Sequence, residues 1–440
     1  MKGGAEQMPF RPFRIAVTIA WTLVLPALFA PIASHEGRGA RIAASLRPHT
    51  VPVGRDPVAL AVDERTSRVF VVGSAGGVTL LDATTGVVLR SVAVGRGAQA
   101  VAVDEATGRV FVTDPGRVFL LDARTGAVLH AFPVGGGGPS GGLVLDARHG
   151  EVFVAVRGVD HGPAGSGPGS IVVLDAATGQ TRRTIHATTD LLVVDSVARR
   201  LIVPQQCGGD ASTANACADT LDAVTGQRLK TVDFGGQEGF TQQPSAVAVD
   251  ARAGRAFVLY GDGRGVSDVG TLATRTGVGQ GTVGGAAGSL GTIAVDEQAG
   301  RIVIATAPDS YAAASGAGPP RTAFVSVLDT RSGRDLANTT VPTASQAYVF
   351  VPGTAADPRR GRFYVAATLY PTATATLPRS ILDVFAASSG RLVRTLTLPM
   401  TVGQPNAPVG PAMAVDGRSD RLFIANAGAN TVIILDTTRL

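Results

Sequence analysis

The sequence predicts an all-β fold made of repeated four-stranded units, and three observations support this prediction. The first is composition: of 440 residues, 45% are hydrophobic but only 5% are aromatic, and 56 are glycine. This profile suits many short strands joined by tight turns. The other two observations are short phrases, each of which recurs in eight successive units of the chain.

The first phrase is VDEATGRVFV at residues 103–112, in which Asp104 precedes Arg109 and an apolar run. Apolar residues also lie before the aspartate, so the phrase predicts a strand, a tight turn and a second strand. Arginine recurs at the place of Arg109 in seven units, with Glu151 as the exception. A catalytic carboxylate would be expected in one unit only. The recurrence instead predicts a structural aspartate that accepts backbone N–H bonds in the turn. The aspartates are Asp63, Asp104, Asp146, Asp195, Asp250, Asp296, Asp357 and Asp416.

The second phrase, LLDATTG at residues 80–86 in the first unit, predicts a strand that enters a hairpin, with glycine supplying the positive φ that such turns require. Each unit therefore contains four short strands, here a to d, in about forty residues, which is the signature of a β-propeller blade. Blades bury their faces only against their neighbours, so the array must close into a ring. We predict an eight-bladed propeller, with seven blades as the alternative if one unit is degenerate.

The two ends of the repeat region predict how the ring closes. The eighth unit ends at IILDTTRL without an outer strand, whereas SLRPHTVPVG at residues 45–54 resembles the outer strand VLRSVAVG at 88–95. We expect the N-terminal segment to supply the outer strand of the last blade, because this pairing removes an open sheet edge. The propeller domain is expected to span residues 45–440.

The first 34 residues differ in kind from the repeats. Lys2, Arg11 and Arg14 precede an uncharged apolar run at residues 15–33. This pattern predicts a signal peptide cleaved near residue 33 or 34. The alternative is an uncleaved N-terminal membrane anchor, because the run is nearly long enough to span a bilayer. Residues 35–44 would form a linker, and both alternatives predict an extracytoplasmic location: periplasmic, cell-surface or secreted.

The cysteine pair agrees with an oxidising location. Cys207 and Cys217 lie in a polar segment, and we expect them to form a disulfide. Their spacing is not that of a metal site. The formal net charge of +5 comes from arginines scattered in turns rather than from a basic patch, so nucleic-acid binding is not expected.

Two stretches carry a resemblance to a known family. FIANAGANTVIILDT in the last unit and GVTLLDATTGVVLRSVAVG in the first resemble the YVTN-type β-propeller repeat family. The resemblance covers about residues 46–440. It implies a propeller in an exported or surface protein but implies no reaction. Members of the family are usually described with seven blades, whereas this sequence has eight phrases.

Loop lengths predict where a binding site lies. The two phrases are 19 residues apart between Asp63 and Asp82 but 33 apart between Asp296 and Asp329, whereas the a-to-b turn is constant. In an antiparallel blade the variable b-to-c and d-to-a connections emerge on one face, here called the loop-rich face. The uniform a-to-b and c-to-d turns emerge on the other, here called the turn face. Loops carried by a rigid scaffold commonly hold binding residues.

We therefore interpret the chain as an exported, monomeric binding or scaffold protein whose loop-rich face holds a protein, peptide, glycan or small ligand. No catalytic, metal or cofactor motif is recognisable, because the six histidines are dispersed and no nucleophile elbow occurs. The alternative is a lactonase- or lyase-like propeller enzyme with a site above the central channel, although the predicted channel strands are almost purely apolar. The candidate ligand-binding residues are Asp160, His161, Gln205, Gln206, Asp210, Asp262, Arg264, Asp268, Asp309, Tyr311 and Tyr370.

Overall fold

The computed structural model of the chain contains eight four-stranded antiparallel sheets. The chain has two units, residues 1–45 and residues 46–440, and the second contains all eight sheets. The structure describes residues 48–135, 142–158, 169–187, 189–208, 214–235, 242–261, 266–287, 290–307, 324–340, 347–371, 379–398 and 413–440.

Within these residues 32 strands are present, and the first of them, β1 (His49–Pro52), belongs to blade 8. The strands of blades 1 to 4 are, in order, β2 (Pro57–Asp63), β3 (Arg68–Gly73), β4 (Gly77–Asp82), β5 (Val88–Ala93); β6 (Ala100–Asp104), β7 (Arg109–Asp114), β8 (Arg117–Asp122), β9 (Val128–Pro133); β10 (Leu143–Asp146), β11 (Glu151–Val156), β12 (Ser170–Asp175), β13 (Thr181–His186); and β14 (Val193–Asp195), β15 (Arg200–Cys207), β16 (Asn215–Asp222), β17 (Arg228–Asp233).

The remaining blades continue the same pattern, with two single-turn 3-10 segments, Ala427–Ala429 and Thr437–Arg439, in the described part of blade 8. The strands of blades 5 to 8 are β18 (Gln243–Asp250), β19 (Arg255–Gly261), β20 (Val266–Ala273), β21 (Val278–Ala287); β22 (Leu290–Asp296), β23 (Arg301–Ala307), β24 (Phe324–Asp329), β25 (Asp335–Thr340); β26 (Ala347–Asp357), β27 (Arg362–Pro371), β28 (Arg379–Ala386), β29 (Leu392–Leu398); and β30 (Met413–Asp416), β31 (Arg421–Asn426), β32 (Thr431–Asp436).

Blade 8 closes the ring by combining both ends of the repeat region. Its strand order is β1-β32-β31-β30, and β1 pairs antiparallel with β32 from His49 opposite Ile434 to Pro52 opposite Thr431. Two bonds to Asn430 extend the seam, because Val53 N donates to its main-chain oxygen at 2.9 Å and Asp56 N donates to its Oδ1 at 2.9 Å. The predicted closure by an N-terminal strand is confirmed, and the propeller has eight blades rather than the alternative seven.

The hydrophobic core is divided among the interfaces between blades. Each of eight clusters combines residues of two neighbouring blades, as where Phe70 and Val72 of blade 1 pack with Val110 and Val112 of blade 2. One of these clusters joins blade 8 to blade 1, with Phe423 next to Val69. A blade therefore has no core of its own, and stability depends on contact with both neighbours.

The repeated aspartates organise the a-to-b turns of the turn face. All eight are at most 1% exposed, and each accepts at least one backbone N–H from the turn that follows it. In blade 4, for example, Asp195 Oδ1 accepts from Val197 N at 2.9 Å and from Ala198 N at 2.8 Å. The aspartate holds the tight turn by local hydrogen bonds.

In five blades the second oxygen of the aspartate finds a partner in one of two ways, from its own turn or from the next blade. In blade 2 the turn itself supplies it, because Thr107 Oγ1 donates to Asp104 Oδ2 at 2.7 Å. The turns of blades 4 and 5 have alanine at the corresponding place, and there the next blade supplies a threonine. Thr274 Oγ1 donates to Asp195 Oδ2 at 2.5 Å, and Thr330 Oγ1 donates to Asp250 Oδ2 at 2.6 Å. These bonds join neighbouring blades across the turn face.

Asp296 in blade 6 lacks both kinds of partner among the described residues. Its turn has Ala299 in the fourth position, the next blade has Ala387 where Thr330 stands one blade earlier, and Asp296 Oδ2 is buried without a hydrogen bond. Thr330 and Ala387 are equivalent, because Thr330 N donates to Gly300 O at 3.0 Å and Ala387 N donates to Gly361 O at 2.8 Å.

The substitution Ala387→Thr is therefore expected to raise the free energy of unfolding by about 1 kcal/mol, because it gives Asp296 Oδ2 a hydroxyl donor. Urea denaturation of the variant and the parent measures the difference. The matched control is Ala223→Thr, since Asp146 Oδ2 already lies 2.8 Å from His149 Nδ1. Equal stabilisation by both substitutions, or destabilisation by Ala387→Thr, would contradict the assignment.

Glu151 is the one exception to the arginine at the start of the b strand. In five other blades this arginine pairs with the aspartate at the end of the c strand, as Arg68 does with Asp82 at 2.9 Å. In blade 3, Glu151 lies opposite Asp175 in the strand register. Three arginines surround the glutamate, at 2.6 Å for Arg183, 3.3 Å for Arg182 and 3.4 Å for Arg199. The reversed charge is thus compensated from β13 and from the next blade.

Candidate functional site

The antiparallel strand order places different connections on the two faces of the ring. The b-to-c and d-to-a connections emerge together on the loop-rich face. In blades 1, 2 and 8 the b-to-c connection is a short turn at residues 74–76, 115–116 and 427–430. The strands of blades 4, 5 and 7 are longer and extend further toward this face, with eight to eleven residues in β16, β20 and β26.

The structure describes four of the predicted ligand-binding residues. Gln205 and Gln206 lie at the loop-rich end of β15, Asp268 lies in β20, and the backbone of Tyr370 lies in β27. The first three belong to adjacent blades 4 and 5, whereas Tyr370 belongs to blade 7. Seven predicted residues fall outside the described part of the chain: Asp160, His161, Asp210, Asp262, Arg264, Asp309 and Tyr311.

A disulfide and a side-chain hydrogen bond order the loop-rich end of blade 4. Cys207 and Cys217 form a disulfide with their Cα atoms 5.9 Å apart, which ties the end of β15 to β16. Gln206 Nε2 donates to Gln242 O at 3.1 Å and so links blade 4 to the connection that leads into blade 5. These contacts hold the predicted glutamine in a defined orientation.

Polar groups of β16 and β17 lie beside the disulfide. Asn215 Nδ2 donates to Asp233 Oδ2 at 3.0 Å, and Gly235 N donates to Asp233 Oδ1 at 2.8 Å. Possible ligand atoms of Cys207, Cys217 and Asp233 lie within 4.8 Å of one another. Because both sulfurs belong to the disulfide, neither is a thiolate that would bind a metal. In the described part of the chain this cluster therefore presents one carboxylate and one amide.

An aromatic pair that the sequence analysis did not single out joins blades 4 and 5 nearby. The rings of Phe234 and Tyr260 stack with centroids 5.6 Å apart and planes inclined by 14°. Phe234 also lies flat against the backbone of Gly270, where an added Cβ atom would come within 2.4 Å of the ring. The only available sequence signal was a pair of aromatic residues at the ends of β17 and β19, in a chain with 5% aromatic residues.

Tyr260 is held in its protonated form. Burial raises the pKa of its hydroxyl, and the charges of Asp268 and Asp233 raise it further. The hydroxyl donates to Phe234 O at 3.5 Å. Tyr260 is therefore suited to packing and to hydrogen-bond donation rather than to proton abstraction.

Two further carboxylates lie on other parts of the loop-rich face. Asp114 ends β7 and is 3% exposed. Burial raises the pKa of its carboxyl above the ordinary value, although the charge of Arg117, 3.6 Å away, opposes the shift. Asp190 pairs with Arg157 across the connection between blades 3 and 4. These groups belong to different blades from the Tyr260 region, so the described residues present separate polar contacts.

The wall of the central channel is mostly apolar where it is described, with Ser245, Thr292 and Thr354 as partly exposed polar residues. Strand β6 (Ala100–Asp104) has the sequence AVAVD, and its first four residues are partly exposed, whereas Asp104 is buried in the turn. Strand β10 (Leu143–Asp146) follows the same pattern. Acid–base chemistry at the channel would therefore depend on groups from the connections.

None of the described helices is both long and apolar enough to cross a membrane.

Comparisons with known proteins agree with the fold. No protein-family model and no curated protein matches the chain. Among solved structures, hydrazine synthase of Kuenenia stuttgartiensis is similar with a TM-score of 0.51 at 14% identity, covering 90% of this chain and 99% of that one. BamB from Moraxella catarrhalis has a TM-score of 0.51 at 13% identity, with coverages of 88% and 98%. The computationally designed protein Ika8 has a TM-score of 0.54 at 15% identity, with coverages of 88% and 97%. At these identities the likeness shows the propeller fold alone, and the resemblance to the YVTN-type family stays a prediction.

Proposed function

We propose that the chain is an exported binding or scaffold protein, of the YVTN-type repeat class, whose loop-rich face holds a protein, peptide, glycan or small ligand. The difference between the two faces carries this proposal. The turn face repeats one hydrogen-bonded aspartate turn in every blade, whereas the loop-rich face differs from blade to blade. Variable connections on a uniform, rigid ring are the usual arrangement of a binding surface. The disulfide supports an oxidising, extracytoplasmic location.

The loop-rich end of blades 4 and 5 has the chemistry of a binding surface. Exposed Gln206 and Asp233 are both oriented by hydrogen bonds, and the stacked Phe234 and Tyr260 lie beside Asp233. Amide and carboxylate groups donate to and accept from peptide main chains and sugar hydroxyls. Their fixed orientation reduces the conformational entropy that binding removes.

Site-specific photo-crosslinking tests which face binds. A benzophenone amino acid replaces Gln243, which is exposed at the loop-rich end of β18, and in a control it replaces Arg331, which is exposed in a turn of the opposite face. Both proteins are expressed with the complete N-terminus and irradiated in the producing cells. We expect crosslinked species from position 243 only. Equal crosslinking from both positions, or crosslinking from position 331 alone, would contradict the proposed binding face.

The alternative function is a lactonase- or lyase-like enzyme. Such an enzyme needs several titratable groups that converge on a substrate, and the described channel wall is mostly apolar. Metal analysis of the purified protein together with assays on a panel of lactones separates the two functions. We expect no stoichiometric metal and no turnover. A retained metal that is required for lactone hydrolysis would establish the enzyme instead.

We also propose that residues 1–34 direct export, either as a cleaved signal peptide or as an uncleaved anchor. The cluster of basic residues before the apolar run supports this proposal. The mass of the protein recovered from the extracytoplasmic fraction distinguishes the two forms. Loss of residues up to 33 or 34 indicates cleavage, whereas the intact mass in the membrane fraction indicates an anchor. Recovery from the cytoplasm alone would contradict export.

A further inference from the structure

The first described strand, β1, lies at the outer rim of the propeller, and it begins close to the turn face. Strand β1 begins with His49, which pairs with Ile434 near the turn-face end of β32. The imidazole of His49 lies against the c-to-d hairpin of blade 1, since a Cβ atom added to Gly86 would be 2.9 Å from its Nδ1.

An apolar patch occupies the rim next to this position. Ten large hydrophobic side chains are exposed in the described residues, and five of them belong to blades 1 and 2. Their exposed fractions lie between 38% and 57%. They are Val87, Val88, Leu89, Val128 and Leu129, and we call them the rim patch.

The rim patch lies on two neighbouring hairpins and is not a requirement of the fold. The two hairpins are in contact, because Arg90 of blade 1 donates to Thr125 O of blade 2 at 3.5 Å. At the positions of Val87, Val88 and Leu89, blade 3 has the polar residues of the sequence QTR at 180–182. Blade 3 forms the same four strands with polar residues at these positions, so strand pairing does not require aliphatic side chains there. The exposed aliphatic side chains of blades 1 and 2 therefore indicate a contact outside the propeller.

Exposed arginines lie in the same two blades as the rim patch. Arg65, Arg90 and Arg124 are exposed in the turns and the outer strand of blades 1 and 2. The neighbouring carboxylates Asp82 and Asp122 are each paired with an arginine of their own blade. The edge therefore combines apolar side chains with positive charge, which is the composition of surfaces that bind anionic lipid bilayers.

We propose that the rim patch rests on the surface of an anionic bilayer, with its aliphatic side chains among the lipid headgroups and its arginines close to the phosphates. The positive charge beside the aliphatic side chains favours a bilayer with anionic headgroups over an apolar partner surface. In this orientation blades 1 and 2 face the membrane at the turn face, and the loop-rich face remains accessible. The proposal does not depend on a ligand at the loop-rich face.

Vesicle co-sedimentation tests the proposal. Residues 46–440 form one compact unit with the closing strand and all eight blades, so this propeller is used without the apolar run. The test variant is Leu89→Asp with Leu129→Asp. The control is Leu229→Asp with Val393→Asp, which changes the equivalent outer-strand position of blades 4 and 7. The four side chains are 45%, 39%, 43% and 46% exposed, so the pairs are closely matched.

We expect the propeller to bind vesicles of equal phosphatidylcholine and phosphatidylglycerol, and to bind pure phosphatidylcholine much more weakly. The test variant should weaken binding by about tenfold, because two leucines no longer enter the interface. The control variant should bind as the parent does. Arg90→Gln should weaken binding by about fivefold at low salt, the loss expected for one basic residue near an anionic surface.

Three outcomes would overturn the proposal: no binding of the parent propeller, equal losses in the test and control variants, or equal binding to both kinds of vesicle. Sedimentation velocity identifies one further contrary outcome. If the parent self-associates and only the test variant is monomeric, while vesicle binding is unchanged, the rim patch is an interface between two copies. Equal melting temperatures of the two variants establish that both are folded.

Discussion

Replacing both Cys207 and Cys217 with alanine is expected to lower the free energy of unfolding by about 3 kcal/mol, because the disulfide restricts the unfolded chain. The bond closes a short loop, with a sequence separation of 10 residues. It joins β15 to β16 where these strands reach the loop-rich face. Urea denaturation with and without a dithiol reductant measures the effect.

The reductant provides the control for this prediction. Reduction should destabilise the parent by a similar amount and should leave the double-alanine variant unchanged. A parent whose denaturation midpoint does not respond to reduction, while its free thiols become measurable, would show that the disulfide does not stabilise the fold. The variant should also reduce crosslinking from position 243, because Gln206 and Asn215 flank the two cysteines on the same strands.

Features that repeat locally were predictable from the sequence. The aspartate turn lies within a few residues of each aspartate, so the type of turn, the strands on each side and the number of blades follow from spacing alone. The closing strand was predictable because residues 45–54 resemble an outer strand and the last unit lacks one. In each case the relevant information lies within one unit or in the comparison of two units.

Contacts between blades were not predictable in the same way. Thr330 and Asp250 are 80 residues apart in sequence. The significance of the threonine becomes clear only when the c-to-d turn of one blade is seen to cover the aspartate of the preceding blade. The stack of Phe234 on Tyr260 depends likewise on the neighbouring blade. Candidate residues in long connections had no repeated pattern from which their neighbours could be inferred.

The ion-pair cluster around Glu151 was also only partly predictable from the sequence. The sequence revealed that glutamate replaces arginine in one unit, but the compensating arginines come from β13 and from the turn of the next blade. The burial of Glu151 alone raises the pKa of its carboxyl. The hydrogen bonds and charges of Arg183 and Arg182, with the charge of Arg199, outweigh burial and hold the pKa below its ordinary value. The ionised carboxylate is therefore the form that stabilises blade 3.

Glu151→Gln is expected to lower the free energy of unfolding by about 2 kcal/mol at neutral pH, because three guanidinium groups lose their shared, buried carboxylate. These arginines are between 24% and 39% exposed, so water compensates part of the loss. The sign of the pH dependence follows from the lowered pKa. The contribution is complete above the ordinary carboxyl pKa of about 4.3 and is lost as the pH falls through the lower folded value.

Urea denaturation of the parent and Glu151→Gln across the acidic range measures this dependence. The gap between the two proteins should be largest near neutral pH and should narrow as the pH falls below the ordinary carboxyl pKa of about 4.3 and through the lowered pKa of folded Glu151. Glu297→Gln is the control: Glu297 Oε1 accepts a bond from Ala251 N at 3.1 Å, and glutamine retains a carbonyl acceptor. A gap for Glu151→Gln that is independent of pH would show that packing, rather than the charge of the carboxylate, accounts for its stabilising effect.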